Sequence, residues 1–167
     1  MADLTPLAEH WIKTLKMLPH PEGGYYAEVY RSAGLIAGGS LPDHAGSRNY
    51  LTSIYFMLTP GDVSRFHRLK SDEIWYYHAG NSLTLYSISG EGVFEARVLG
   101  PDLSAGESLQ LMVPAGTWFG AVPNGTEAVL VSCAVAPGFG FADFTMAKRQ
   151  DLKKLCPQHA EIIQDLT

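Results

Sequence analysis

A histidine and a glutamate stand six positions apart, at His67 and Glu73, between the glycines Gly61 and Gly80. The stretch has strand–turn–strand character, so both side chains can point into one interior. An imidazole with an ordinary pKa near ~6.5 can remove a proton next to a carbonyl, and a neighbouring carboxyl can orient that imidazole. The pair therefore predicts acid–base chemistry.

Two tyrosines are candidates for the second proton-transfer group. Tyr55 lies in an apolar strand segment, and Tyr77 shares the face of Glu73 if that strand alternates regularly. An isomerase or epimerase needs one group to remove a proton and another to return it from the opposite side. The expected catalytic residues are His67, Glu73, Tyr55 and Tyr77.

Strand parity predicts which side chains line the same pocket. An inward His67 predicts an inward Arg65, and an inward Glu73 predicts an inward Trp75. A lining of this kind suits a polar ring stacked on an aromatic side chain, with one cation for an anionic substituent. We expect a sugar, sugar phosphate or nucleotide sugar as the ligand. The predicted substrate-binding residues are Arg65, Trp75, Thr117, Phe119, Tyr26, Glu28 and Tyr30.

A helix and a series of short strands must position these residues. Apolar residues at three- and four-residue spacing predict a helix over residues 4–18, with Thr5 as N-cap and Pro6 at its first position. A glycine-rich loop is expected over residues 32–47, and one or two short helices over residues 148–166, interrupted at Pro157. The many short strands are typical of a sandwich or barrel. They are predicted at residues 25–31, 51–58, 63–69, 73–78, 82–89, 93–99, 108–113, 118–122 and 128–135.

Length and charge limit the classes of function. The 167 residues, 46% of them hydrophobic, fit a single domain over residues 1–167. The net charge of −5 disfavours nucleic-acid and anionic-membrane partners. No apolar run is long enough to span a bilayer. Residues 1–6 lack the pattern of a secretory signal, so a cytoplasmic location is expected.

Longer blocks of the chain resemble the cupin superfamily. Gly61, His67, Glu73 and Gly80 match the first cupin motif, and the Pro114–Gly116 corner matches the second. Within that superfamily, the chain is similar to the uncharacterised cupin_5 branch, a domain-of-unknown-function family. The blocks that carry this resemblance are residues 20–26, 30–32, 54–58, 66–75, 114–119 and 136–144.

The resemblance implies a mainly β fold: a double-stranded β-helix, or jelly-roll cupin barrel, with an N-terminal helix and short C-terminal helices. It also implies a likeness to dTDP-sugar epimerases, a small-molecule pocket inside the barrel and a homodimer. Two of the usual metal ligands are replaced, by Leu69 and Phe119. Since a first-row metal needs about three or four ligands, we expect no cofactor.

Three functions remain open at this point. The leading hypothesis is a metal-independent isomerase or epimerase of a carbohydrate-type substrate. The first alternative is a non-catalytic cupin that binds a sugar or nucleotide. The second is a metal-dependent cupin enzyme, in which His67 and Glu73 are ligands and Glu28, His44 or His78 completes the set.

Overall fold

The strands form two large antiparallel sheets in residues 4–167, the part of the chain that the computed structural model describes. The expectation about a secretory signal falls partly on residues 1–3, outside this range. The helices are α1 (Pro6–Leu15), α2 (Arg149–Leu155) and α3 (Ala160–Asp165). The strands are β1 (Leu18–Pro19), β2 (Tyr25–Arg31), β3 (Leu35–Ile36), β4 (Arg48–Asn49), β5 (Thr52–Leu58), β6 (Ser64–Arg68), β7 (Asp72–Gly80), β8 (Leu83–Ile88), β9 (Phe94–Leu99), β10 (Gln110–Val113), β11 (Trp118–Pro123), β12 (Val129–Ala136) and β13 (Thr145–Met146).

The two large sheets pack face to face. One has the strand order β1-β2-β5-β12-β7-β10 and the other the order β13-β6-β11-β8-β9, while β3 and β4 form a separate hairpin. Apolar side chains from both inner faces make one core, because alternate residues of each strand point inward. This core contains Phe56, Leu58, Trp75, Leu83, Leu85, Phe119, Val131 and Cys133.

Helices cover parts of the outer faces. Helix α1 places Ala8 against Met57 and Leu130 of the six-stranded sheet. Its start is fixed as expected, since the Thr5 hydroxyl accepts a hydrogen bond from the Ala8 amide. The C-terminal helices pack Leu152 and other apolar residues on the five-stranded sheet. No helix within residues 4–167 combines the length and apolarity needed to cross a bilayer.

The predicted fold class is confirmed. All nine predicted strands are present, with ends within two residues of the predicted bounds. The C-terminal segment forms two helices separated at Pro157, as expected. The 32–47 region differs in part, because it contains strand β3 and a 3₁₀ turn at Gly38–Ser40. Strand β4 follows this region and pairs with β3.

An ion pair between half-buried Arg48 and buried Asp143 joins the β3–β4 hairpin to the segment that follows β12. The Arg48 guanidinium binds Asp143 at two points, with Nε–Oδ2 at 2.5 Å and Nη2–Oδ1 at 2.8 Å. Arg48 holds the pKa of the Asp143 carboxyl below its usual range by direct hydrogen bonding. The pair therefore anchors residues 137–144, which contribute aromatic side chains to the cavity described below.

Asp143→Asn is expected to lower the free energy of unfolding by about 2 kcal/mol, because it leaves the half-buried Arg48 charge without its counter-ion. The matched control is Glu95→Gln, which breaks an exposed pair with Arg97 at 3.8 Å. The control should change stability by less than about 1 kcal/mol. Urea unfolding measures both effects, and equal losses in the two variants would contradict this role for Arg48–Asp143.

Candidate functional site

A cavity of about 240 Å³ opens between the two sheets. Its walls combine a few polar groups with aromatic and aliphatic side chains, the usual character of a small-molecule site. Strands β2, β5, β6, β7 and β12 contribute to it, together with the turn before β2 and the segment after β12. The lining residues are His20, Glu22, Tyr26, Glu28, Arg31, Thr52, Ile54, Phe56, His67, Leu69, Glu73, Cys133, Val135, Phe139, Gly140, Phe141 and Phe144.

The imidazole of His67 contacts the carboxyl of Glu22 inside this cavity. Nε2 of His67 lies 3.1 Å from Oε2 of Glu22, and both side chains are more than nine-tenths buried. The Ser64 hydroxyl donates to the other carboxyl oxygen at 2.8 Å. Burial raises the pKa of Glu22 to about 8, although the Ser64 hydrogen bond acts in the opposite direction. Glu22 is therefore protonated near neutral pH.

The second nitrogen of His67 fixes the position of the proton. Nδ1 lies 2.7 Å from the carbonyl oxygen of Arg65. Because a carbonyl can only accept, Nδ1 carries a hydrogen and Nε2 is the free lone pair of the neutral ring. Burial lowers the pKa of His67. The protonated Glu22 thus donates to Nε2, and one proton is shared between the two side chains.

A β-bulge in β6 makes these contacts possible. Phe119 pairs with His67 and Ala121 pairs with Ser64, so two β6 residues oppose one residue of β11. The bulge frees the backbone of Arg65 from the regular ladder. Its amide donates to the carbonyl oxygen of Glu22 at 2.9 Å, while its own carbonyl accepts from His67.

A tight turn before β2 brings Glu22 to this position. The amide of His20 donates to the carbonyl of Gly24 at 2.9 Å, and Gly23 donates back to His20 at 3.1 Å. Gly23 and Gly24 have φ values of +118° and +69°, in the region that disfavours side chains. A Cβ on Gly23 would lie 2.0 Å from the carbonyl oxygen of Val63, so this close approach requires glycine.

Glu73 is a second protonatable carboxyl in the same cavity. Burial raises its pKa to about 7, opposed by His67 and reinforced by Glu22. Its Oε2 is buried and accepts no hydrogen bond of ordinary geometry, although the Cys133 thiol and the Trp75 indole N–H lie near enough to act against the rise in pKa. A buried polar atom without a partner is costly, so the arrangement favours a ligand group at this oxygen. Burial also keeps the adjacent Cys133 a neutral thiol, with its pKa raised well above the usual value.

Four of the expected site residues line the cavity: His67, Glu73, Tyr26 and Glu28. The expectation that Arg65 faces inward is wrong, because the β6 bulge reverses strand parity and leaves its side chain exposed. Arg65 instead supports the site from outside the lining, because its backbone amide and its Nη1 both donate to the Glu22 carbonyl and its own carbonyl accepts from His67.

Tyr30 is displaced from the expected face for the same reason. The pairing of β2 with β5 shifts between Glu28 and Tyr30, so Arg31 takes the place beside Thr52 that regular alternation would give to Tyr30. Tyr30 is 53% exposed and lies outside the cavity. Arg31 lines the cavity instead.

The remaining expected residues do not line the cavity. Tyr55 packs on the opposite face of the six-stranded sheet, among the residues contacted by α1. The Tyr77 hydroxyl donates to the carbonyl of Gly80 at 2.6 Å. Thr117 is half-buried outside the lining. These positions remove both tyrosines from the expected proton-transfer roles, because neither lies beside His67 or Glu73 in the cavity.

Trp75 and Phe119 support the site from the core. Both are almost fully buried, and their rings pack edge to face at 6.3 Å between centroids. The Phe119 ring lies 4.1 Å from the His67 ring, centroid to centroid. This packing excludes water from one side of the imidazole and helps to keep it neutral.

Sequence reasoning missed several lining residues that lie in turns. The turn at residues 20–24 combines His20 and Glu22 with two glycines. This composition predicts a polar turn but does not predict that the turn faces the cavity. His20 Nδ1 lies 3.5 Å from Glu22 Oε2, and burial lowers the pKa of His20 to about 4. Phe139, Phe141 and Phe144 come from the segment after β12, which has no strand or helix periodicity.

The residues present do not fit a first-row metal. Leu69 and Phe119 stand where further ligands would be expected, and both nitrogens of His67 are already bonded. Within residues 4–167, no three His, Cys, Asp or Glu side chains are grouped to hold a metal ion.

The three proposed completing ligands are engaged elsewhere. Glu28 pairs with Arg31, His44 bonds Ser71, and His78 bonds Ser132. None of them completes a ligand set with His67 and Glu73.

Comparison with known proteins identifies relatives of the same architecture. The Cupin_5 family, described as "Cupin superfamily (DUF985)", matches residues 9–147. Protein SO0799 from Shewanella oneidensis is 44% identical, with a TM-score of 0.86 and 96% of each chain covered. The uncharacterized protein YML079W of Saccharomyces cerevisiae is 30% identical over 161 residues, which are 90% of this chain and 78% of the yeast protein.

A more distant likeness shows the fold alone. Oxalate decarboxylase from Bacillus subtilis is 18% identical, with a TM-score of 0.55 over 89% of this chain and 36% of that chain.

Glu22→Gln is expected to flatten the dependence of stability on pH. The folded state holds a proton on Glu22 up to about pH 8, whereas the unfolded chain releases it above about pH 4.5. The stability that this proton contributes is full below pH 4.5 and is lost as the pH rises through 8, a loss of the order of 5 kcal/mol. Glutamine can donate to His67 and accept from Ser64 without titrating.

Urea unfolding across this pH range checks the expectation. The wild-type protein should lose stability toward alkaline pH more steeply than the Glu22→Gln variant. An identical slope in both proteins would show that Glu22 is not the buried acid described here. Glu91→Gln, at an exposed turn, is the matched control and should keep the wild-type slope.

Proposed function

The chain belongs to the Cupin_5 family of the cupin superfamily, and we propose that it is an isomerase or epimerase of a carbohydrate-type substrate. The observation that carries the proposal is the placement of Glu73 and the Glu22–His67 pair around one buried cavity. The proposal also draws on the expected likeness to dTDP-sugar epimerases, for the reaction type only. It uses the protein's own side chains as the proton donors and acceptors.

The contacts favour Glu73, rather than His67, as the base. Both His67 nitrogens are bonded, whereas Oε2 of Glu73 accepts no hydrogen bond of ordinary geometry. A base works best when its pKa lies near the operating pH, and that of Glu73 is about 7. The Glu22–His67 pair, which still holds its proton at this pH, suits the role of acid.

The proposed reaction is proton transfer next to a carbonyl. The Glu73 carboxylate removes a proton from the carbon beside the carbonyl, and the electron pair of that C–H bond moves to form an enolate. The Glu22–His67 pair gives its one shared proton to the enolate oxygen, which leaves Glu22 as a carboxylate beside the neutral His67 ring. Protonated Glu73 then gives its proton to the neighbouring carbon while the Glu22 carboxylate takes the proton of the second enediol hydroxyl, which completes isomerisation and restores both groups. Epimerisation requires instead that a proton from solvent reach the opposite face of the original carbon, while Glu22 regains its proton from the enol oxygen and Glu73 releases its proton to solvent.

Thermal shift measurements identify the substrate. Sugars, sugar phosphates, nucleotides and nucleotide sugars are screened, because a ligand that binds only the folded state raises the melting temperature by mass action. Each ligand that binds is then incubated with the enzyme in D₂O, and NMR records the loss of its carbon-bound proton signals.

Glu73→Gln is expected to lower the rate of deuterium incorporation by about 100-fold or more, the usual contribution of a positioned acid or base. The wild-type rate should rise with ionisation of Glu73 near pH 7 and fall as Glu22 loses its proton near pH 8. Glu91→Gln should behave as wild type. Binding without any exchange would contradict the enzyme proposal and favour a binding cupin.

A further inference from the structure

Arg31 is the one permanently cationic side chain among the residues that line the cavity. Its Nε and Nη2 donate to the two carboxyl oxygens of Glu28, at 3.0 and 2.6 Å. Its Nη1 donates to the side-chain oxygen of Asn49 at 3.0 Å and to the carbonyl of Phe139 at 3.2 Å. Four of the five N–H groups of the guanidinium are therefore occupied.

These contacts give Arg31 a structural role at the cavity entrance. It joins strand β2 to the end of β4 and to the segment that carries Phe139. Its charge is balanced by Glu28 across a bidentate contact, the strongest geometry for such a pair. A phosphate would have to displace Glu28 to gain a comparable contact.

The other charged or ionisable groups around the cavity do not favour an anion. His20 and His67 have lowered pKa values and are neutral near pH 7, mainly because both are buried. Glu73 is partly ionised at this pH, so a nearby anion would meet a like charge. Arg65, the cation expected to bind an anionic substituent, is exposed and outside the cavity lining, and its Nη1 donates to the backbone carbonyl of Glu22 at 3.4 Å.

The cavity is also small. At about 240 Å³ it lies below the range of about 300–1,000 Å³ found for sites that enclose drug-sized ligands. It suits one sugar-sized ring, with Glu73 Oε2 facing a polar group on that ring.

We infer that the pocket selects an uncharged single-ring sugar with a free or latent carbonyl, or the corresponding lactone, and discriminates against phosphorylated and nucleotide-linked forms. This inference narrows the substrate class of the proposed function and rests on it for the carbonyl. Two observations support the weaker binding of the phosphorylated and nucleotide-linked forms: the charge of Arg31 is neutralised by Glu28 at the cavity entrance, and the cavity volume is small.

The test compares matched ligands on the wild-type protein by thermal shift and calorimetry. The pairs are glucose with glucose 6-phosphate, fructose with fructose 6-phosphate, and gluconolactone with 6-phosphogluconolactone, and UDP-glucose is added as the large ligand. At least one uncharged member should bind, and its phosphorylated partner should bind at least about tenfold more weakly. Equal or tighter binding of the phosphorylated partner, or no binding by any uncharged member, overturns the inference.

Glu28→Gln tests the role of the pair directly. A glutamine offers one oxygen instead of two and leaves the Arg31 charge unbalanced, so binding of the phosphorylated partner should strengthen by about tenfold. The difference in affinity between each uncharged ligand and its phosphorylated partner should therefore become smaller. The control is Glu95→Gln, which changes the net charge by the same amount on edge strand β9, away from the cavity. It should keep the wild-type ratio of the two ligand affinities. The same narrowing in both variants would overturn the assignment to Arg31–Glu28.

Deuterium exchange separates this inference from the proposed function. If a phosphorylated sugar binds tightly and exchanges its proton in a Glu73-dependent manner, the inference fails and the proposed function stands. If an uncharged sugar binds with the expected selectivity and no exchange occurs, the selectivity stands and the proposed reaction fails.

Discussion

A proton held between Glu22 and His67 is the constraint on which the geometry of the site depends. Both side chains are removed from water, so each of their remaining polar atoms must find a partner within the protein. Ser64 meets one carboxyl oxygen of Glu22, and the Arg65 carbonyl meets Nδ1 of His67. The same Arg65 residue donates its amide to the Glu22 backbone. These linked requirements fix the turn before β2 and the bulge in β6 relative to each other.

The strands and the fold class were predictable because their signals are local. Alternating apolar residues and turn-forming glycines mark where a strand begins and ends, and these marks do not depend on its neighbours. The face of the sheet from which each side chain projects depends less on the local sequence. A bulge depends on the register with the partner strand, and the bulges at β2 and β6 reversed the expected facing of Tyr30 and Arg65.

The candidate site was only partly predictable, for a related reason. His67 and Glu73 lie on strands, and their spacing identified them. Glu22 and Phe139 lie on connecting segments, whose positions are fixed by contacts far away in sequence. The Phe139 amide, for example, donates to the Thr52 hydroxyl 87 residues away. No periodic pattern encodes such a contact, so these residues were visible only as parts of blocks that resemble a family.

The apolar residues at Leu69 and Phe119 change the chemistry of the carboxyls around them. Both are almost fully buried, and Phe119 lies directly against the His67 ring. Side-chain ligands at these two positions would favour a bound cation, and a cation would keep the nearby carboxyls ionised. The apolar side chains instead favour the neutral forms of the carboxyls and of the imidazole. The raised pKa values of Glu22 and Glu73 and the lowered pKa of His67 share burial as their largest cause, and these two apolar side chains belong to the surroundings. Replacing ligands by hydrocarbon therefore turns a potential cation site into a set of buried acids, which can exchange protons with a ligand and have little attraction for an anion.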